Sequence, residues 1–233
     1  MRLGMFPHLQ RLVIGDCDSF ECFPADDSLP TSLTFLVIRG FTRLKKLDVF
    51  WLQSLTNLER LVIGHCPLLE SLGYSSDEDD CSLDDEFSFN SSLRVLSVSR
   101  CVNLKTINGA WLRSFTSLQE LTISRCFKLE ALPEEGLPRS LSKLCLESFK
   151  NIRRQDWIAI QNLTSLEELN ITYCRELKAL SVKLPCSLKL LMLLGNHLNL
   201  NHQDLEERCK RDTGPDWPNI AHVPDIRINF MKI

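Results

Sequence analysis

The sequence predicts an α/β repeat solenoid, a coil of short parallel strands joined by return limbs that are partly helical and partly extended, and three observations predict it. The first is a pattern L-x-x-L-x-(I/V/L) whose leading leucines fall at Leu9, Leu33, Leu58, Leu93, Leu118, Leu141, Leu166 and Leu188. Successive spacings are 24, 25, 35, 25, 23, 25 and 22 residues, the length of one small supersecondary unit apart from a single longer gap. The second is a column three places beyond the last apolar residue of each pattern, filled by Cys17, Phe41, Cys66, Cys101, Cys126, Phe149, Cys174 and Asn196. The third is a longer alternation. Units at Leu58, Leu118 and Leu166 follow segments opening at Trp51, Trp111 and Trp157, whereas those at Leu33, Leu93, Leu141 and Leu188 follow Leu29-Pro-Thr-Ser, Phe89-Asn-Ser-Ser, Leu137-Pro-Arg-Ser and Leu184-Pro-Cys-Ser.

Each element follows from this pattern. The alternating L-x-L core of a unit is a short strand whose leucines point one way and whose intervening residues point the other. One unit cannot bury its leucines alone, so neighbouring units stack, and about eight repeats form a leucine-rich-repeat horseshoe with a concave parallel sheet. Asn or Cys in the column closes the strand, Asn as a hydrogen-bonding group and Cys as a small buried weak donor. A further apolar residue, at Phe20, Leu44, Leu69, Leu104, Leu129, Ile152 and Leu177, opens the return limb. In the Trp units that limb takes a short helix with the tryptophan packed inward. In the Leu-Pro units proline favours an extended limb.

The solenoid is expected over residues 1–200, with an acidic loop at about 74–90 and a C-terminal cap over 201–233. In the loop Asp77, Glu78, Asp79, Asp80, Asp84, Asp85 and Glu86 occur with no base, a run that repels itself and solvates readily. The whole chain carries 27 Lys+Arg against 30 Asp+Glu; without those seven acids 23 would remain, leaving the rest at +4. In the cap, Ile226-Arg-Ile228 reads as a last strand with Trp217 and Ile220 beneath it. Only Met1 to His8 precede Leu9, so either an apolar end is exposed or earlier repeats are missing.

Composition excludes several functions. With 233 residues, 44% hydrophobic, the chain has ample material for a core, and its formal charge of −3 favours neither a nucleic-acid nor an anionic-membrane partner. No apolar run approaches the roughly 18 residues of a membrane helix. The opening Met1-Arg-Leu-Gly-Met-Phe-Pro-His lacks the apolar stretch of a secretory signal, so a cytoplasmic location is expected. The nine glycines form neither G-x-x-x-x-G-K-(S/T) nor G-x-G-x-x-G, and there is no H-E-x-x-H or C-x-x-C, so no cofactor, metal or catalytic residue is assigned. The ten cysteines read as free thiols, since Cys66, Cys101 and Cys126 on consecutive rungs cannot all pair with one another.

Two stretches carry a resemblance. Leu118-Gln-Glu-Leu-Thr-Ile-Ser-Arg-Cys-Phe-Lys-Leu-Glu-Ala-Leu-Pro133 and the tail Arg208-Cys-Lys-Arg-Asp-Thr-Gly-Pro-Asp-Trp-Pro-Asn-Ile-Ala-His-Val-Pro-Asp-Ile-Arg-Ile228 resemble the C-terminal leucine-rich-repeat region of plant nucleotide-binding, leucine-rich-repeat disease-resistance proteins of the coiled-coil class. The resemblance implies a non-enzymatic sensing region that contacts pathogen effectors or guarded host proteins and helps hold a nucleotide-binding module inactive. A substrate-recruiting subunit of a ubiquitin ligase is the rival, since such adaptors also use cysteine-rich leucine repeats.

A solenoid binds through the positions its core leaves free. The x positions of the strands, Phe35, Arg39 and Arg60 among them, are expected on the concave face. Just before the column stand His65, Arg100, Arg125 and Tyr173, one register on four different units, with residue types common in binding hot spots. These seven residues are the candidate protein-binding site.

Overall fold

A computed structural model of the chain describes residues 6–19, 21, 29–47, 50–73, 92–133, 136–149, 152–174, 177, 179–195 and 202–233. The acidic segment, Phe20 and the column residue Asn196 lie outside these described residues.

Every leading leucine is followed two residues later by a five-residue strand: β1 (Arg11–Gly15), β2 (Phe35–Arg39), β4 (Arg60–Gly64), β6 (Val95–Ser99), β8 (Glu120–Ser124), β9 (Lys143–Glu147), β10 (Glu168–Thr172) and β11 (Leu190–Leu194). They pair in chain order, all parallel, and without register slip: Leu36 lies beside Leu61, Leu61 beside Leu96, and Leu96 beside Leu121. The result is a β-solenoid with one long parallel sheet. From β2 onward the second and fourth residues of each strand are buried and the first and third look outward, as a period of two demands. The leading leucines from Leu33 to Leu188 are at most 2% exposed, so stacking of turns supplies the core.

The return limbs differ as the alternation implies. A second, three-stranded parallel sheet of β3 (Lys46–Leu47), β5 (Ser71–Leu72) and β7 (Thr106–Ile107) runs along them. Trp51 lies in a 3-10 helix, Phe50–Ser54, Trp111 in α1 (Gly109–Ser114) and Trp157 in α2 (Arg154–Gln161); all three indoles are buried. Among the described residues the Leu-Pro limbs carry no helix. Their serines bind the preceding turn instead, Ser32 donating to the Leu9 carbonyl, Ser140 to that of Leu118 and Ser187 to that of Leu166, at 2.7–2.8 Å.

The tail carries α3 (His202–Arg208), α4 (Trp217–Ile220), β12 (Asp225–Ile228) and β13 (Met231–Lys232). β12 adds to β11 in parallel, setting Ile226 beside Leu191 and Ile228 beside Leu193, and β13 folds back antiparallel along it. Val223, Ile226 and Ile228 are therefore another L-x-x-L-x-L pattern written in β-branched residues. They cover the leucines of β11 as each turn covers the one before.

Two buried aspartates tie limbs together. Asp156, 1% exposed, accepts from the backbone N–H of Arg153 at 2.7 Å and of Leu132 at 2.8 Å. Asp216 accepts from the Leu180 N–H at 3.0 Å and from the Arg208 guanidinium at 2.6 and 2.9 Å. Each aspartate immediately precedes a tryptophan, so the Asp-Trp of the tail repeats the device that anchors α2.

Candidate functional site

The register holding His65, Arg100, Arg125 and Tyr173 has an unusual backbone. After the last strand residue the chain makes one further sheet-like bond: the His65 N–H donates to the Ser99 carbonyl, Arg100 to Ser124, Arg125 to Glu147 and Tyr173 to Leu194, at 2.7–3.0 Å. At that residue it turns left-handed, with φ of 53° at His65, Arg100 and Arg125 and 57° at Tyr173. Asp16, Ser148 and Gly40 occupy the same register with the same handedness. The turn drops the next residue, the column cysteine or phenylalanine, into the core. It throws the side chain of the register residue outward, and His65, Arg100, Arg125 and Tyr173 are all exposed. A non-glycine residue pays for this backbone.

The cysteines beneath explain the other half of the turn. Cys17, Cys66, Cys101, Cys126 and Cys174 each donate a weak hydrogen bond to the carbonyl two residues back, at 3.3–3.6 Å. Hydrogen bonds to Cys126 and Cys66 on the flanking rungs, together with burial, push the Cys101 thiol up. Burial raises Cys174 to about 12.

His65, Arg100 and Arg125 directly follow the adjacent strands β4, β6 and β8. Tyr173 stands two strands farther on, with Ser148 between. The other three candidates lie on the outward face of the sheet. Phe35 is beside Arg60 in register and carries the Arg11 guanidinium 4.5 Å above its ring; Arg39 is beside Gly64. Phe35 and Arg60 line a depression of 490 Å³ with Arg11, Glu59, Arg94 and Glu120.

Charge is distributed unevenly over this face. Toward the C-terminal half Arg125 pairs with Glu147 at 3.1 Å, Lys143 with Glu168 at 3.0 Å and Lys189 with Glu167 at 2.7 Å. Toward the N-terminal half Arg39, Arg60, Arg94 and Arg100 form no ion pair among the described residues. Sequence pattern could not separate these arginines from Arg125, because the partner of Arg125 comes from the next strand. The chain leaves the described residues at Gly73, just after β5 on the second sheet, where the glycine approaches Asn108 at the start of α1.

A depression of 570 Å³ lies between the limbs of α1 and α2, and its charged lining residues are Arg113 and Arg139. No group of three or more His, Cys, Asp or Glu suited to a metal occurs among the described residues. No described helix is long and apolar enough to cross a membrane. What the arrangement offers is a long, side-chain-studded surface of the kind a macromolecule contacts.

Fold and surface together define a leucine-rich-repeat solenoid. The family described as plant disease resistance protein RPS2-like, leucine-rich repeats, matches over residues 22–132 and 77–194, and the chain belongs to it. Among solved structures the chain is similar to CroV588, a novel circular leucine-rich-repeat protein, at 20% identity and a TM-score of 0.48 over 83% of this chain. It is also similar to the leucine-rich-repeat domain of the type III effector XCV3220 (XopL), at 20% identity and 0.40 over 84% of this chain and 79% of that one. A third likeness, at 15% identity and 0.34 over 97% of this chain, is to TLR13 in its complex with ssRNA13. The chain spans 28% of the first of these proteins and 43% of the third. No curated protein matches it.

Proposed function

We propose that this chain is the sensing region of an intracellular plant immune receptor of the coiled-coil class, in which about eight repeats and a C-terminal segment from about residue 201 form a horseshoe that binds proteins on its concave face and rim. It recognises a pathogen effector or a guarded host protein, and by contact with a nucleotide-binding module it helps keep the receptor silent. The observation that carries the reading is the register of His65, Arg100, Arg125 and Tyr173: large, exposed side chains at a left-handed position the fold alone would give to glycine. Membership of a plant disease-resistance repeat family supports the biological setting, and a leucine-rich-repeat solenoid is typically a scaffold for interaction, with no chemistry of its own.

The test builds the chain into a receptor that carries a nucleotide-binding module and replaces Arg100→Glu together with Arg125→Glu. Both side chains are exposed, so circular dichroism should be unchanged. Effector-triggered cell death should fall at least tenfold, or become constitutive if the row faces the nucleotide-binding module. An unchanged response would move the site elsewhere.

A further inference from the structure

Beside the left-handed register, the same edge of three consecutive turns carries exposed apolar side chains, one residue past the column cysteine in two turns and two residues past it in the third. Of the large hydrophobic side chains exposed among the described residues, Leu68 at 41%, Val102 at 36% and Phe127 at 55% belong to three consecutive turns and lie two or three residues beyond His65, Arg100 and Arg125. Scattered apolar residues on a surface need no explanation, but one on each of three adjacent rungs of the same edge is a stripe. That turns stack here is shown on the neighbouring rungs, where the Thr42 hydroxyl donates to Asp18 at 3.0 Å and the Asn103 amide to the Pro67 carbonyl at 2.7 Å. Phe127 also walls a depression of 480 Å³ with Lys105, Lys128 and Glu130.

We infer that this edge is a docking stripe for an amphipathic helix of a protein partner, apolar along one face and flanked by aspartate and glutamate. The inference rests on the partner-binding role proposed above and names the chemistry of the partner. Geometry selects the helix. Rungs recur at about 4.8 Å and helical turns at about 5.4 Å, so residues i, i+4 and i+7 of a helix laid along the edge meet Leu68, Val102 and Phe127 one per rung. A partner strand has nothing to pair with, because the N–H groups of His65, Arg100 and Arg125 are already given to the next turn. Charge selects the flanks. Lys105 is matched by Glu70 at 2.6 Å and Arg125 by Glu147, and the charge of Lys128 is shared with that same Glu70, whereas Arg100 forms no ion pair among the described residues. One unpaired arginine and two lysines sharing a single carboxylate leave positive charge beside the apolar stripe, which favours an acidic partner and repels a basic one.

The experiment uses the 233-residue chain and a fluorescein-labelled synthetic helix of about five turns with leucines at i, i+4 and i+7 between glutamates, alongside a twin with lysines for the glutamates. Anisotropy titration should show binding of the acidic helix, none of the lysine twin, and weakening by added NaCl. Val102→Ser with Phe127→Ser should weaken it at least tenfold, and Arg100→Glu should weaken it in the fully folded chain. Equal affinity of wild type and the serine variant, or no binding by wild type, overturns the inference. Loss of binding in Arg39→Glu with Arg60→Glu but not in the serine variant also overturns it, while leaving the proposed function standing on the open face. Sedimentation of the wild type as a dimer that Phe127→Ser dissociates would assign the stripe to a second copy of the chain and likewise overturn it.

Discussion

At Arg100 the backbone and the side chain pull in opposite directions. The left-handed turn brings Cβ close to the carbonyl that follows, which costs a non-glycine residue about 1 kcal/mol, and the guanidinium makes no ion pair among the described residues to offset it. Gly40 occupies the same register at a φ of 68°, so glycine is compatible with the turn. Arg100→Gly is therefore expected to raise the free energy of unfolding by about 1 kcal/mol, and Arg100→Val, β-branched and worse suited to this region, to lower it by about 1–2 kcal/mol. Urea unfolding of the two variants decides: a destabilising glycine would mean that the arginine holds the turn through contacts of its own. The residue types at this register were legible in the sequence, since they fall at one fixed offset from the leucines. The handedness was not, because nothing in Asp, His, Arg, Ser and Tyr as a set points to a positive φ.

At the scale of elements, the helices at Trp111 and Trp157 follow from the alternation of limbs, but the way the second is anchored had to be seen. Asp156 sits three residues after Arg153 and accepts its N–H, an N-terminal cap from within the first turn, while its other oxygen reaches Leu132 in the preceding limb. A 24-residue separation between donor and acceptor has no local signature. The same reason hid Asp216 and its bond to Leu180, and β-branched replacement of leucine hid the repeat pattern of β12. Burial pushes the Asp156 carboxyl up, and its bonds from Leu132 and Arg153 bring it only part of the way back. Because the folded group holds its proton more tightly than the unfolded one, stability at this site falls as pH rises from the ordinary carboxylate value through the folded one. Asp156→Ala leaves two backbone N–H groups without an acceptor and should cost about 2 kcal/mol at neutral pH. The gap between wild type and variant should then widen as pH is lowered through the folded value toward the ordinary carboxylate value. A gap that narrows on acidification would show that the carboxylate, not the acid, is the form the fold prefers.

Across the whole molecule, the cysteines test how the coil is held together. A chain this size can be fastened by disulfides or by burial, and the two answer differently to reductant. All eight described cysteines are free, and five of them form the column where each turn ends its strand. Cys66, Cys101 and Cys126 sit on three successive rungs at no more than 2% exposure, filling space between turns much as Phe41 and Phe149 do in theirs. Their contribution is packing repeated from one turn to the next, and in a solenoid such nearest-neighbour contacts are the source of stability. Dithiothreitol should therefore leave the melting temperature unchanged. Alkylation should separate the thiols by place in the fold: among the described cysteines Cys186, exposed on a Leu-Pro limb, reacts first with iodoacetamide at pH 8. Cys174 and Cys209, which burial raises to about 12, stay unmodified until the coil unfolds. Mass spectrometry of peptides from briefly treated native protein makes the comparison. Early labelling of Cys174 or Cys209, or a fall of several degrees in melting temperature on reduction, would mean that the turns are fastened by something other than their stacked side chains.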